Sequence, residues 1–407
     1  MIEVKPFFHN NKCVIACSCS NEYVPYLSVY IKSVMEHVNE SKFYDIVVLE
    51  TDIDDINKDK ITKMNTYKNI SIRFCNVASI FDGIKLHIQY NYFAKQCYYR
   101  LAAGQIFRNY EKVFFTDIDI VVNFDVADIF YIDMHNKPLA AVKEVLWTQQ
   151  NRIGKKLTTG MDISNYIENV VKTKEYYNTG VLLIDIHKFN KLADFNKLIQ
   201  IAINNKFVNQ EQDVLNQFFS KKITTLSWIY NFEVLSWVWG GTNPTYNVYQ
   251  KYLPSGKIYH FCTGFKVWFY PNMKQAQIWW KYARMTPFYE DIVRRMVIFS
   301  TQKDSQTIIL SKNDIMNSQS NVVSALRAEF AKVHFPNINN RFGAGEYNAK
   351  LSFVMNHLLH FRLKKFGYAL KKAFAFGERY AKYNDKYQKT KQLIKDAKKL
   401  KKSYYKV

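Results

Sequence analysis

The sequence predicts an α/β protein built around a largely parallel sheet. Short apolar segments alternate with segments of helical periodicity through the first third of the chain, a pattern typical of this fold class. Of the 407 residues, 48% are apolar and 16% are aromatic, so the chain can bury a large core. Its length exceeds that of one α/β domain of about 250–300 residues, and we therefore expect a further region beyond that domain.

The predicted elements follow one another in a regular order. In the first helix, Leu27, Ile31 and Val34 recur at helical spacing behind Pro25, a residue that suits a first helical turn. Beyond residue 120 the alternation weakens, and the polar stretch 151–165 is predicted to be a loop over a site. The predicted strands are 13–17, 45–50, 70–77, 112–116, 139–143, 181–186 and 257–261. The predicted helices are 25–37, 52–67, 95–107 and 211–219.

The predicted strand 112–116 runs directly into Asp117-Ile118-Asp119. Open α/β sheets bind their ligands at the carboxyl ends of strands, and two carboxylates at i and i+2 are costly to bury without a cation. Their hard oxygen atoms suit Mg²⁺ or Mn²⁺, ions that stabilise a diphosphate leaving group. From these residues alone, two solvated carboxylates at a strand end are an equally good interpretation.

The segment from Asp117 to Val121 also fits the opening motif of haloacid-dehalogenase-type phosphatases. In that family the first Asp is a nucleophile and the second is a general acid. The motif normally ends the first strand of its domain, whereas three predicted strands precede it here, and no paired-Asp motif follows. A phosphatase that uses Asp117 is therefore the weaker alternative.

Several other segments occur along the chain in a fixed order, which is more specific than any one of them. They are Tyr98-Tyr99-Arg100-Leu101, Tyr110-Glu111-Lys112-Val113, Tyr177 to Asp185, Glu211 to Asn216, and His260-Phe261 followed by Gly264, Lys266 and Trp268. Together with Asp117-Ile118-Asp119 they resemble glycosyltransferase family 8, over residues 12–295. The resemblance implies the GT-A fold, a Rossmann-like mixed sheet, and a retaining glycosyltransferase similar to bacterial lipopolysaccharide galactosyl- and glucosyltransferases.

The resemblance also assigns the residues that hold the metal and the donor. Asp117, Asp119 and His260 would hold Mn²⁺ or Mg²⁺, and an imidazole that completes a mostly oxygen shell suits Mn²⁺. Lys266 would bind the diphosphate of a UDP-sugar, and Arg100 would lie beside it. The other residues assigned to the nucleotide-sugar are Ala16, Ser18, Asn21, Ile118, Thr179, Gly180 and Gly264.

Four residues are assigned by the resemblance to the transferred sugar and to catalysis: Glu144, Asn178, Gln212 and Asp213. Paired donors and acceptors of this kind hold a hydroxyl-rich sugar in register. Retention by double displacement needs a nucleophile at the anomeric carbon, and the amide of Gln212 is a poor one. We therefore favour a front-face substitution in which the leaving phosphate helps to deprotonate the acceptor.

The chain departs from the family pattern at several positions. The first loop of the family reads A-A-D-x-N-Y, whereas Ala16 to Tyr23 is two residues longer and lacks that Asp. Ser18 or Asn21 is expected to substitute for it. Val267 stands where the family has a proline, and Glu144 stands where it has an aspartate. The donor therefore stays open between UDP-glucose and UDP-galactose.

The net charge of +22 is concentrated towards the carboxyl terminus, because residues 361–407 contain 16 Lys or Arg residues and 3 acidic residues. One helical face is formed by Leu359, Leu363, Phe366, Leu370 and Phe374. We predict that this basic amphipathic helix lies on an anionic membrane surface. Packing on the catalytic domain or on a second copy of the chain is the alternative, and a nucleic acid is the least favoured partner.

The composition turns polar around residues 301–320, where we place a domain boundary. We expect a GT-A catalytic domain over residues 1–300 and a basic helical region over residues 301–407. No apolar run of about 18 residues and no secretory signal is recognised, and the six cysteines are interpreted as ordinary thiols. These features predict a cytoplasmic protein at the inner face of the cell membrane.

The predicted reaction transfers glucose or galactose from a UDP-sugar to a saccharide or lipid-linked saccharide acceptor, in lipopolysaccharide or surface-glycan assembly. A contrasting hypothesis is a non-catalytic scaffold that keeps a transferase-like fold and binds polyanions or membranes. Metal-dependent hydrolysis of UDP-sugars distinguishes the two, because a scaffold would show none.

Overall fold

The structure is a computed structural model that describes residues 2–9, 13–88, 95–145, 147, 156–157, 160–234, 255–262, 264, 266–273, 275–301, 384–389, 391–392 and 395. The chain divides into two compact units, Met1–Ile308 and Ile309–Val407. The first unit contains every predicted site residue. In the second unit residues 384–389 are helical, and the amphipathic stripe 359–374 lies outside the described residues. The assignment of residues 1–300 to catalysis and of 301–407 to a membrane or a second chain stays a prediction.

A mixed sheet forms the centre of the first unit. The strands are β1 (Cys13–Ser18), β2 (Tyr44–Glu50), β3 (Ile70–Asn76), β4 (Lys112–Thr116), β5 (Ile120–Val122), β6 (Leu139–Lys143), β7 (Tyr177–Asp185), β8 (Ile223–Thr225), β9 (Phe232–Glu233) and β10 (Ile258–His260). The central sheet has the order β3-β2-β1-β4-β7-β6-β8, and a small sheet has the order β5-β10-β9. Strand β1 is parallel to β2 and β4, whereas β7 is antiparallel to β4 and β6. The predicted α/β fold with a parallel-rich sheet is confirmed.

Helices connect the strands. They are α1 (Val24–Met35), α2 (Asp55–Lys63), α3 (Ala78–Phe81), α4 (Ala103–Ile106), α5 (Ile163–Asn165), α6 (Ile186–Leu192), α7 (Phe195–Asn204), α8 (Gln210–Phe218) and α9 (Ala276–Ala283). Residues 289–301 are also helical. Shorter 3₁₀ segments are Asn21–Tyr23, Lys95–Ala102, Val126–Tyr131 and Trp228–Tyr230, and Tyr166–Val170 is a π-helical turn. The side chains of Asp54, Asp185 and Asp194 cap α2, α6 and α7 by accepting a hydrogen bond from a backbone N–H group, which stabilises each helix start.

Both faces of the central strands are buried, as expected where helices cover a sheet on each side. Alternate residues of β1 point to opposite faces: Ile15 and Cys17 pack into one apolar cluster with α1, whereas Val14 and Ala16 pack into the other. This double burial explains why the strands read as continuous apolar runs in the sequence.

Three of the predicted elements are wrong in detail. The helix predicted over 52–67 covers only Asp55–Lys63. The helix predicted over 95–107 is a 3₁₀ segment followed by the single turn of α4; tertiary contacts of the buried Arg100 override the local periodicity here. The strand predicted over 181–186 begins earlier, at Tyr177. The polar side chains of Asn178 and Thr179 interrupt the apolar pattern, although Tyr177 and Asn178 still pair with Lys143 and Val142 of β6 beyond a shift in register.

The small sheet brings distant residues to the end of β4. Strand β5 begins directly after Asp119, and β10 pairs with it antiparallel so that His260 lies opposite Ile120. The backbone N–H of Phe261 donates to the carbonyl of Asp119 at 2.9 Å. This pairing carries His260 to the carboxylates. Within the described residues, no helix is long and apolar enough to cross a membrane.

Candidate active site

Three side chains that could bind a metal converge at the carboxyl end of β4. Asp117 and Asp119 lie between β4 and β5, and His260 ends β10. Their ligand atoms all lie within 4.8 Å of one another. Nε2 of His260 is 3.2 Å from Oδ1 of Asp119 and 3.6 Å from Oδ2 of Asp117. The structure therefore brings together the three residues that were predicted to hold the metal.

The donor set of this cluster fits a divalent cation. Nδ1 of His260 is 2.9 Å from Oδ1 of Asn231, and Nε2 is buried without a hydrogen-bond partner among the described residues. A neutral imidazole that donates through Nδ1 presents a lone pair at Nε2. That lone pair faces two carboxylates, an arrangement that is unfavourable without a cation between them. Two carboxylates and one imidazole suit Mn²⁺, and also Mg²⁺.

Gly180 of β7 lies against the cluster. A Cβ atom at this position would lie 2.3 Å from Cε1 of His260 and 2.7 Å from Oδ2 of Asp117, well inside contact distance. The carbonyl of Gly180 also accepts a hydrogen bond from the backbone N–H of Asp117 at 2.8 Å. Glycine is required here because the backbone approaches the ligands closely.

Two cationic side chains border the cluster. Nζ of Lys266 lies 2.5 Å from Oδ2 of Asp119, and Arg100 donates to Oδ1 of Asp117 and to the carbonyl oxygen of Thr179. Burial raises the pKa of Asp119, but the ammonium group of the nearby Lys266 is the largest opposing influence, and that pKa lies well below its usual range. Asp119 is therefore ionised at neutral pH and available as a ligand.

A network of hydrogen-bonded polar side chains adjoins the metal cluster. Nδ2 of Asn178 donates to Oε2 of Glu144 at 2.8 Å, and Nε2 of Gln212 donates to the same oxygen at 3.3 Å. The backbone N–H of Thr179 donates to Oε1 of Gln212 at 3.0 Å. Three residues predicted to contact the sugar are thus in mutual contact, beside the metal ligands.

Asp213 is fully buried, and both of its oxygens accept hydrogen bonds. Oδ2 accepts from the hydroxyl of Tyr166 at 2.7 Å and from the backbone N–H of Asn209 at 2.8 Å. Oδ1 accepts from the hydroxyl of Tyr176, and Nε2 of Gln212 donates to that hydroxyl at 3.3 Å. Burial raises the pKa of Asp213 to about 6, although these hydrogen bonds oppose the rise. Asp213 therefore supports Gln212 through Tyr176.

Glu211 and Asn231 belong to the site although no role was predicted for them. Oε1 of Glu211 lies 3.5 Å from Nε of Arg100. Burial raises the pKa of Glu211 to about 7, while Arg100 acts against the rise. Glu211 begins the segment Glu211 to Asn216, which was recognised in the sequence, so that segment could have indicated that Glu211 belongs to the site. Asn231 gave none, because only its tertiary contacts distinguish it from a turn residue.

Of the remaining predicted nucleotide residues, Ala16 and Ser18 belong to β1, Asn21 follows that strand, and Ile118 lies between the two aspartates of the cluster. Ser18 ends β1, and its Oγ has no hydrogen-bond partner in the described part of the chain. Asn21 is held by α2 and its cap, with Nδ2 donating to Asp54 at 2.7 Å and Oδ1 accepting from Asn57 at 2.8 Å. Ala16 is fully buried, Ile118 is partly buried and Gly264 has open space around it. Their contact with a nucleotide stays a prediction.

Comparison with known proteins identifies the family of this arrangement. The sequence model of the family described as Glycosyl transferase family 8 matches residues 14–271. A Haemophilus influenzae protein that carries the name of a glycosyltransferase is 29% identical over 221 residues, or 54% of this chain and 62% of that protein. Glycosyltransferase GlyF of Streptococcus pneumoniae is 26% identical over 223 residues, or 54% of this chain and 49% of GlyF. The matched region thus spans about half to three fifths of these two relatives.

Solved structures show the same fold. The apo structure of the bifunctional glycosyltransferase WbbM matches with a TM-score of 0.65 and 22% identity, covering 72% of this chain and 53% of WbbM. The galactosyltransferase LgtC, solved with donor and acceptor sugar analogues, matches with a TM-score of 0.54 and 21% identity, covering 67% of this chain and 96% of LgtC.

The family match covers the region that contains Asp117, Asp119 and His260. Asp117 follows the fourth strand of the chain rather than the first, so the phosphatase alternative has no support in the fold. The chain adopts the GT-A fold and belongs to glycosyl transferase family 8.

Proposed function

We propose that this protein is a retaining glycosyltransferase that transfers a hexose, glucose or galactose, from a UDP-sugar to a saccharide acceptor. The observation that carries the proposal is the cluster of Asp117, Asp119 and His260, which leaves the unpartnered Nε2 facing two carboxylates. Arg100 and Lys266 each pair with one of these carboxylates, whereas the nitrogen that faces both of them, Nε2 of His260, has no hydrogen-bond partner in the described part of the chain.

Mn²⁺ or Mg²⁺ held by Asp117, Asp119 and His260 would supply positive charge to the diphosphate as the bond to the sugar breaks. Lys266 adds a fixed cation at the same place, since its Nζ is already directed at Asp119. The buried Arg100 joins Asp117 of the β4–β5 turn to the carbonyl of Thr179 in β7. It thereby orients the carboxylate of Asp117 and the backbone that faces the donor.

The sugar side is formed by Glu144, Asn178 and Gln212. Their amide and carboxylate groups offer both donors and acceptors, and their mutual hydrogen bonds fix them before the sugar binds, which reduces the entropic cost of binding. We propose that Ser18 and Asn21, together with Ala16, Ile118 and Gly264, contact the nucleotide. The unpartnered Oγ of Ser18 suits a contact to the base or ribose.

For the chemical step we propose a front-face substitution in which a phosphate oxygen of the leaving UDP receives the proton of the acceptor hydroxyl. Asp213 is poorly placed as a nucleophile, because its oxygens accept from Tyr166, Tyr176 and Asn209. Gln212 carries an amide, which is a weak nucleophile. Mass spectrometry of protein quenched during turnover tests this step, and a sugar attached covalently to any side chain would contradict it.

The donor and the overall function are tested together by a panel of nucleotide-sugars, with and without Mn²⁺. We expect UDP-glucose or UDP-galactose to raise the melting temperature in the presence of Mn²⁺ and to be hydrolysed slowly in a chelator-sensitive manner. GDP-sugars are the matched control and should do neither. No stabilisation and no hydrolysis with any nucleotide-sugar would favour the non-catalytic scaffold.

We further propose that the protein is cytoplasmic and that its basic segment binds the inner face of the membrane, where a lipid-linked saccharide or surface glycan acceptor is assembled. The support is the charge of residues 361–407 and the apolar stripe that begins at Leu359. Flotation with anionic and neutral vesicles, using the full chain and a chain ending at residue 358, tests it. Equal flotation of both chains would contradict membrane binding through this segment, and a dimer that dissociates on truncation would assign the segment to a second copy.

A further inference from the structure

Asn231 lies between the metal ligands and the sugar side. It follows the 3₁₀ segment Trp228–Tyr230, precedes β9, and is fully buried. Its Oδ1 is 2.9 Å from Nδ1 of His260, and its Nδ2 is 2.8 Å from Oδ1 of Asn178. One amide group therefore connects a predicted metal ligand to a predicted sugar contact.

The direction of these hydrogen bonds is set by the backbone of β7. The N–H of Gly180 can only donate, and it donates to Oδ1 of Asn178 at 2.8 Å. That oxygen also faces Asn231, so Asn231 presents its NH₂ group to Asn178 and its carbonyl oxygen to His260. An amide oxygen can only accept, so Nδ1 of His260 must carry the proton.

The same reasoning fixes the orientation of the amide groups on the sugar side of this hydrogen-bond network. Because Oδ1 of Asn178 accepts from Gly180, Nδ2 of Asn178 donates to Glu144 at 2.8 Å. The backbone N–H of Thr179 similarly fixes Oε1 of Gln212 as an acceptor, so that Nε2 of Gln212 also faces Glu144. Two consecutive backbone N–H groups thus determine the orientation of every amide between His260 and Gln212.

We propose that Asn231 is a positioning residue that holds His260 in the tautomer and ring orientation in which Nε2 is a free metal ligand. The inference rests on the proposed metal-dependent function. Without the acceptor at Asn231, the imidazole would gain by moving its proton to Nε2 and donating to Asp119, 3.2 Å away, and this would block the ligand position. Groups that hold the second nitrogen of a metal-bound histidine typically change metal affinity by about 10–100-fold.

Separate substitutions distinguish the two ends of the amide. Asn231→Leu has a similar size but removes both hydrogen bonds. Asn231→Asp keeps the acceptor for His260 but loses the donor to Asn178. The matched control is Asn216→Leu: Asn216 is equally buried, its amide exchanges hydrogen bonds with the backbone of Tyr177 at 2.8 Å and donates to the carbonyl of Gln212 at 2.9 Å, and none of these partners is a metal ligand.

Mn²⁺ binding is measured by electron paramagnetic resonance, and the coupling between bound Mn²⁺ and an imidazole nitrogen is measured by electron spin echo methods. We expect Asn231→Leu to raise the Kd for Mn²⁺ by about 10–100-fold and to lose the nitrogen coupling. Asn231→Asp should keep the coupling while binding the UDP-sugar more weakly. Asn216→Leu should lose thermal stability but keep the Mn²⁺ affinity and the coupling of the wild type.

An unchanged Kd and an unchanged nitrogen coupling in Asn231→Leu would overturn the inference, and so would an equal loss of affinity in Asn216→Leu. A measurement that needs no variant covers the case in which Asn231→Leu does not fold. Nitrogen-15 NMR of the metal-free wild type should show His260 protonated at Nδ1, and a proton at Nε2 alone would overturn the inference. If the wild type binds no Mn²⁺, the proposed function fails, and the NMR result still decides the tautomer.

Discussion

Two buried carboxylates lie at opposite ends of the parallel strands of the central sheet, and their surroundings differ. Asp45, near the amino end of β2, accepts hydrogen bonds from Oγ of Ser71 at 2.6 Å, from Nε of Arg73 at 3.0 Å and from the hydroxyl of Tyr110. Asp119, beyond the carboxyl end of β4, accepts from Lys266 on one side but faces Nε2 of His260 and the carboxylate of Asp117 on the other.

The difference shows how a structural carboxylate is distinguished from a binding one. Around Asp45 the neighbouring groups donate, so burial is compensated within the protein. Around Asp119 several lone pairs converge, and the protein alone compensates them incompletely. A site that is incomplete without a cation is expected where a cation binds, and the following predictions test that contrast.

The largest expected effect is on turnover. Asp119→Asn removes one charge from the metal cluster and should lower the rate of Mn²⁺-dependent UDP-sugar hydrolysis by about 10³-fold, because several kcal/mol of charge stabilisation is lost. The rate is measured at saturating UDP-sugar and Mn²⁺. A loss of hydrolysis rate smaller than about tenfold would contradict the metal-binding role of Asp119, which would then be a structural carboxylate like Asp45.

The complementary change is Asp45→Asn. Because it leaves buried donors without their charged acceptor, it should lower the free energy of unfolding by about 2–4 kcal/mol, as measured by urea denaturation. The Kd for Mn²⁺ should equal that of the wild type, since Asp45 lies near the amino end of β2 and the metal ligands lie beyond the carboxyl end of β4. A weaker Mn²⁺ affinity without any loss of stability would contradict the structural role of Asp45.

Gly180→Ala should raise the Kd for Mn²⁺ by at least about tenfold, because its methyl group would displace His260 or Asp117. The matched control is Gly104→Ala, whose Cβ would lie 2.1 Å from Oδ1 of Asn190 in another part of the fold. Both variants should lose stability, but only Gly180→Ala should lose Mn²⁺ affinity in calorimetric titrations. Equal Mn²⁺ affinities of the two variants would show that the close approach at Gly180 has no bearing on the ligands.

Lys266→Met should have opposite effects on two ligands. In the metal-free protein Lys266 occupies Oδ2 of Asp119, so its removal should lower the Kd for Mn²⁺ alone by about threefold, as a partly buried competing ion pair is lost. The Kd for UDP in the presence of Mn²⁺ should rise by about tenfold, because a charged contact to the diphosphate is lost. If the Kd for Mn²⁺ and the Kd for UDP changed in the same direction, Lys266 would affect both ligands only by stabilising the folded protein.

The last prediction concerns pH. Burial raises the pKa of Glu211 from its ordinary 4.5 to about 7, so the folded protein binds this proton more tightly than the unfolded chain does. Its contribution to stability is complete below about pH 4.5 and declines as the pH rises to about 7. Glu211→Gln removes the titration and should flatten the stability profile of the metal-free protein over this interval, by roughly 3 kcal/mol. A steeper decline in the variant would contradict the raised pKa.

Much of the fold could be predicted from local patterns. The strands that became β1, β2 and β4 were recognised because each is largely an apolar run buried on both faces, and β3 was recognised although its second half is only partly buried. Pro25 lies in the first turn of α1, as its place in the sequence predicts. Residues 95–107 and the start of β7 were predicted less well. There, buried polar contacts of Arg100 and Asn178 replace the apolar periodicity on which the prediction depends.

The residues of the candidate site also differ in whether local sequence patterns reveal them. Asp117 and Asp119 can be found from the sequence because they are two residues apart and follow a strand. His260, Lys266 and Gln212 were found only through a resemblance, since nothing local distinguishes them from surface residues. Asn231 was missed, because its role depends on two hydrogen bonds whose partners are far away in the sequence.

The sequence by itself therefore determined the class of the fold, the carboxylates at the end of β4 and the excess of positive charge towards the carboxyl terminus. These properties follow from neighbouring residues, whose burial, periodicity and charge are local. Only the tertiary structure decided which nitrogen of His260 faces Asp119, why residue 180 must be glycine and how Asn231 is oriented. Those outcomes depend on the pairing of β10 with β5 and on the direction of backbone N–H groups in β7, which long-range packing sets.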